Sequence, residues 1–175
     1  MNKITVAFFC FVSTVFSIQL VNGQADFSLP ENISLKNKED YAKYENLVIQ
    51  SAIWLEKTDM DKDPDKRKRI DAFVIKWVAG TPAFTLNLED PVSVLTDRNP
   101  ELLALYIASY ARNILEDKKG SSNFTATKAA LKSITSVYKK GIDVSRNHQL
   151  EKMGKFTTEA QWDDYIMSNM KISQT

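Results

Sequence analysis

Cysteine is nearly missing from this chain: Cys10 is the only one among 175 residues, and it sits inside an N-terminal apolar run. Once that run is removed as a leader, no disulfide, thiolate metal site or cysteine nucleophile is open to the rest, although small secreted domains commonly depend on such staples. Histidine is as scarce. His148 stands alone, which excludes any site needing two imidazoles from one chain. A surplus of one charge sign is also lacking, since 23 Lys and Arg face 22 Asp and Glu and Lys3 is the only charged residue of the leader. The remainder is neutral and has no basic footprint of the kind a nucleic-acid partner requires. Repeats at a fixed period and low-complexity linkers are absent as well, so nothing divides the chain into several domains.

The one long apolar stretch, residues 4–18, follows Asn2 and Lys3 and gives way to Val21, Asn22, Gly23, Gln24 and Ala25. A positive start, an apolar middle and small residues before a cut are the layout of a secretory signal. The stretch is about five residues short of the ~20 that span a bilayer, and it carries Ser13, Thr14 and Ser17. Small side chains at the third and first positions before the cut place cleavage after Gly23 or after Ala25. Cys10 follows Ala7, Phe8 and Phe9 rather than small residues, unlike the lipid-modified cysteine of a bacterial lipoprotein. The sequence thus predicts a signal peptide over 1–23, an extended lead-in over 24–36 and a helical domain over 37–175. The product is secreted or periplasmic, with no membrane span after cleavage. Roughly 150 residues suffice for one domain held by core packing alone.

Within that domain nearly every signal is helical. Tyr41, Tyr44, Val48, Ala52 and Leu55 recur three or four residues apart, with Leu47 and Trp54 widening the stripe, and predict one long amphipathic helix over 38–57. Asp63 then offers an N-cap acceptor and Pro64 a first helical residue that needs no N–H partner. Ile70, Phe73, Val74, Trp77 and Val78 form the core stripe of that helix, which Gly80 and Pro82 close. The same device recurs at Asp90-Pro91, before a short apolar turn (Val92, Val94, Leu95), and as Asn99-Pro100.

From Leu102 to Ala111 only Ser109 and two tyrosine hydroxyls are polar, so a helix over 100–117 belongs in the middle of the bundle. After Gly120, Leu131, Ile134, Val137 and Tyr138 give the next stripe up to Gly141, with Lys128, Lys132, Lys139 and Lys140 on its solvent side. Ser145 is expected to cap a short helix ending at Met153, before Gly154. Thr158 and Gln161 have capping-box spacing ahead of Trp162, Tyr165, Ile166 and Met170. Phe84, Leu86 and Leu88 alternate with polar residues as in a strand, but no second strand is there to pair, so an extended connector is expected. The fold class is all-α: an irregular single-domain bundle of five or six helices.

Few residue groupings carry chemistry. Asp59, Asp61, Asp63 and Asp65 alternate as oxygen ligands do at the start of a calcium loop. Pro64 stands where such a loop needs glycine and Ile70 where it needs a bidentate glutamate, so capping and solvation account for the four aspartates and no cofactor is expected. Lys66-Arg67-Lys68-Arg69 fans around a helix axis among aspartates and reads as a solvated charged turn. No G-x-S-x-G turn surrounds any serine that His148 could activate. Trp54, Trp77 and Trp162 fall one per helix in core stripes. Asn32-Ile33-Ser34 and Asn123-Phe124-Thr125 match the N-glycosylation triplet, which matters only in a eukaryotic secretory pathway.

The run Tyr41-Ala42-Lys43-Tyr44-Glu45, the stretch from Phe73 to Pro82 and the segment Asn99-Pro100-Glu101-Leu102-Leu103 together resemble small exported helical proteins of unknown function from Bacteroidetes-type bacteria. The resemblance covers most of the mature chain and rests on caps and core stripes. It implies a compartment and a fold and brings no catalytic residues. With no reactive constellation present, the leading expectation is an exported non-catalytic binding or protein-interaction module, its partner an unknown protein or a small apolar ligand. The alternative is a helical carrier of a small apolar ligand, with Phe84, Tyr106 and Tyr110 lining a gap between helices. A hydrolase built on His148 comes third.

Overall fold

The computed structural model describes residues 27–88 and 90–172. The stretch expected to be a signal peptide, Cys10 and both candidate cleavage bonds lie outside them. Eight α-helices follow in order: α1 (Lys38–Lys43), α2 (Glu45–Lys57), α3 (Pro64–Gly80), α4 (Asp90–Thr96), α5 (Pro100–Glu116), α6 (Asn123–Lys139), α7 (His148–Met153) and α8 (Glu159–Tyr165). A π-helical turn, Ile166–Met170, continues α8. Among the described residues no strand forms, and no helix is long and apolar enough to cross a membrane.

Eight helices rather than five or six arise partly because the predicted helix over 38–57 is two. Tyr44 leaves helical geometry at φ −103°, ψ 5°, and its N–H bonds back to the Tyr41 carbonyl at 3.1 Å. The break sets α1 against α3: the Trp77 indole N–H donates to the Tyr41 carbonyl at 3.0 Å, and the two rings lie 6.2 Å apart. A tertiary hydrogen bond of this kind wins over a continuing helical period, and the apolar stripe runs on across the break without showing it.

Proline fixes the starts of α3 and α5. Asp63, in the left-handed region at φ 46° that aspartate tolerates, accepts the Lys66 N–H at 3.3 Å. Asn99 precedes Pro100 as read, but its side chain does not cap α5. Its carboxamide instead pairs with the Ser145 backbone, accepting from the N–H at 2.6 Å and donating to the carbonyl at 3.0 Å. Gly80 is the last residue of α3, not a residue beyond it, and a Cβ there would collide with the Tyr41 hydroxyl. Gly141 does close α6 in the left-handed region, φ 69°, where a side chain would be strained.

Helix α5 occupies the centre, against α2, α3, α4 and α6. Leu102, Leu105, Ala108 and Ala111 are fully buried along it, so the nearly all-apolar stretch sits where its pattern places it. The Phe84 segment crosses as an extended connector, its ring 6.2 Å from Trp77 and 5.8 Å from Tyr110. The lead-in is extended too, and Phe27, Leu29, Ile33 and Leu35 lie half-buried against the core.

Ser109, the one hydroxyl-bearing serine in the apolar reach of α5, meets Glu56 of α2 and Ser133 of α6. The two serine hydroxyls lie 2.8 Å apart and each 3.0 Å from Glu56 Oε1. Glu56 Oε2 accepts from Arg112 at 2.9 Å. With every member partnered, this network pins three helices in one register rather than leaving a polar group stranded among apolar neighbours.

Candidate functional site

Each residue grouping singled out in the sequence has a definite place. Phe84 and Tyr110 pack ring to ring, Tyr106 is buried beside them on α5, and the Tyr110 hydroxyl donates to Asn123 Oδ1 at 2.8 Å. None of the three lines a pocket described below. The four aspartates are engaged separately: Asp59 with Lys140 at 3.1 Å, Asp61 with Lys62 at 3.0 Å, and Asp63 with the α3 backbone, while Asp65 lies exposed in the first turn of α3. Among the described residues no three His, Cys, Asp or Glu side chains come together as a metal set. His148 is 87% exposed, with Glu151 3.7 Å away. The pocket it lines is completed by Val94, Asp97, Arg98, Arg146, Asn147 and Gln149.

The basic run at the start of α3 is not simply a solvated turn. Arg67 is only 3% exposed, because it stands three residues before Ile70 and seven before Val74 on the buried stripe. Its Nη2 donates to the Thr58 and Asp59 carbonyls at 2.9 and 3.1 Å. Its guanidinium lies 5.3 Å from the Trp54 ring, where Lys66 also stacks at 5.1 Å. Trp54 is therefore half-buried beneath two cations rather than sunk in the core. A polar pocket of about 320 Å³ adjoins Arg67, with Asp71, Arg98, Glu101 and Asp143 in its walls. Burial pushes the Asp71 carboxyl up to about 6, against the pull of Arg67 and with a smaller push from Glu101. Burial likewise holds the Arg67 guanidinium below its ordinary value.

A larger cleft, about 470 Å³, opens between the second half of α6 and the chain from α7 into α8. Lys132, Thr135, Ser136 and Lys139 form its α6 wall at positions i, i+3, i+4 and i+7, one face of a helix. That face runs beside the core stripe of Leu131, Ile134 and Val137. The opposite wall carries Met153, Phe156 and Trp162. Phe156 meets Trp162 edge to face with centroids 5.1 Å apart, a favourable aromatic geometry. Gly154 ends α7, and a Cβ there would crowd that helix's own Leu150 carbonyl at 3.2 Å.

Charge in the cleft is uneven. Lys132 pairs with Glu159, whose carboxyl it holds below the usual range, and its ammonium lies 6.0 Å from the Trp162 ring. Lys140 turns to Asp59. Lys139 makes no ion pair among the described residues. Thr135, 3% exposed, has a buried hydroxyl with no hydrogen-bond partner, an exception to the rule that buried polar atoms are satisfied.

Sequence reasoning placed the lysines of α6 on a solvent face and missed the cleft. A second polar stripe at 132, 135, 136 and 139 was there to be read, but nothing local shows that α7 and α8 return to face it. No protein-family model, curated protein or solved structure matches the chain.

Proposed function

We propose that this chain is an exported, non-catalytic binding module whose site is the cleft between α6 and the α7–α8 segment. The observation that carries the reading is the composition of that cleft: an apolar wall of Met153, Phe156 and Trp162 facing a small set of lysines and hydroxyls. Small-molecule sites are built in this way and occupy about 300 to 1,000 Å³, a range that includes this cleft. The leader layout supports export, with a neutral, cysteine-free product. The carrier version of the reading thus moves from Phe84 and Tyr110, whose rings pack together, and the buried Tyr106 to the side of α6.

Native mass spectrometry of the protein recovered from its own host tests both halves. Export predicts a chain beginning at Gln24 or Asp26, and binding predicts an added small-molecule mass lost on collisional activation. A chain retaining its leader would overturn export. A bare chain to which no member of a metabolite extract binds would overturn the binding reading.

A further inference from the structure

We infer that the cleft selects a small organic anion, a carboxylate or phosphate monoester carried on a flat apolar body. The inference rests on the reading of the cleft as a binding site and adds the chemistry of what fills it. Three lysines line the cleft, and two have their charge matched in place, Lys132 by Glu159 and Lys140 by Asp59. Lys139 is left over, so the cleft holds a surplus of one positive charge.

One turn away on the same face, the Thr135 hydroxyl is buried without a partner. Thr135 lines the cleft with its hydroxyl turned inward, and a change to the second χ1 rotamer that threonine adopts in helices presents that hydroxyl to an anion bound beside Lys139, which then satisfies both groups at once. Phe156, half-buried, and the accessible edge of Trp162, backed by the buried Met153, supply apolar and aromatic surface on the facing wall, suited to a ring or short hydrocarbon rather than to a bare inorganic ion. The site therefore asks for both parts of the ligand: charge for the α6 wall and an apolar body for the α7–α8 wall.

Isothermal calorimetry on the purified protein with four probes reads this directly. Phenylacetate and phenyl phosphate carry charge and ring, phenylacetamide carries the ring alone, and inorganic phosphate carries the charge alone. The two aromatic anions should bind saturably and at least tenfold more tightly than either partial probe. Lys139→Met keeps the aliphatic stem on an exposed position and should bring phenylacetate down to the affinity of phenylacetamide. Thr135→Val keeps the shape and removes the hydroxyl. It should leave the melting temperature unchanged or higher while weakening phenylacetate roughly tenfold, the scale of one hydrogen bond to a charged group.

Phenylacetamide binding as tightly as phenylacetate would overturn the anion inference and leave the cleft as a binding site. Full preference for the anions in Lys139→Met would overturn it as well. Silence from all four probes would overturn the inference while leaving the wider binding reading to the mass-spectrometric test.

Discussion

Asn147 is the residue whose replacement should most sharply separate the structure from the local pattern of the sequence. Its side-chain oxygen accepts the Gln149 and Leu150 N–H groups at 3.0 and 3.1 Å and so caps α7. Its carboxamide nitrogen reaches the Val94 and Leu95 carbonyls near the end of α4 at 3.0 and 3.3 Å, and its own N–H donates to the Tyr138 hydroxyl at 2.9 Å. Asn147→Ala removes a helix cap, about 1 kcal/mol, and strands the carbonyl of the fully buried Leu95, about 1 to 3 kcal/mol more. The sum of about 2 to 4 kcal/mol corresponds to a melting temperature lower by roughly 5 to 12 °C for a domain of this size.

Asn147→Ser keeps a capping oxygen but cannot reach α4, so it should lose about half as much. Ser145→Ala should change almost nothing, within about 0.5 kcal/mol, because Ser145 holds Asn99 through its backbone alone. Differential scanning calorimetry of the three variants decides the matter. A larger loss for Ser145→Ala than for Asn147→Ala would refute the argument and restore the cap read from the sequence.

Three further outcomes follow from the same geometry. Asp71 has a folded value of about 6, above its ordinary 3.8, so the native state holds its proton more tightly and stability falls as pH rises from about 4 through about 6. Asp71→Asn should therefore melt higher than the parent at pH 7.5 and level with it near pH 4, and a gap independent of pH would contradict the burial assigned to it. Glu56→Ala leaves Ser109, Ser133 and Arg112 without their common acceptor and should cost about 2 to 3 kcal/mol in urea unfolding, with Glu56→Gln losing less; a loss under about 0.5 kcal/mol would remove the network from the account. Millimolar calcium should leave the melting temperature within about 1 °C, whereas a site binding only the folded state would add about 2.7 kcal/mol at a hundredfold the dissociation constant; a saturable rise abolished by Asp61→Ala would show a site.

Local chemistry was legible and long-range partnership was not. Pro64 and Pro100 mark helix starts because a residue without an N–H belongs in the first turn wherever the helix goes. Gly141 closes α6 for an equally local reason. The burial of α5 follows from its composition. Asn99, by contrast, looks like a cap, and its side chain is taken by Ser145 across 46 residues. Tyr44 breaks a stripe that continues on either side, since Trp77 claims the Tyr41 carbonyl. Arg67 did carry a signal, its spacing to Ile70 and Val74, hidden by the charge of its neighbours. The cleft needed the fold itself, for Lys132 and Lys139 stand on an ordinary charged face until Phe156 and Trp162 are brought opposite.

If the α6 face and the α7–α8 segment together form a ligand site, amide chemical-shift mapping with phenylacetate will show it. Saturable shifts should gather at residues 132–140 and 153–162, with Thr135 and the Trp162 indole among the largest. Shifts gathered instead around Phe84, Tyr106 and Tyr110, or no saturable shift at millimolar probe, would contradict it.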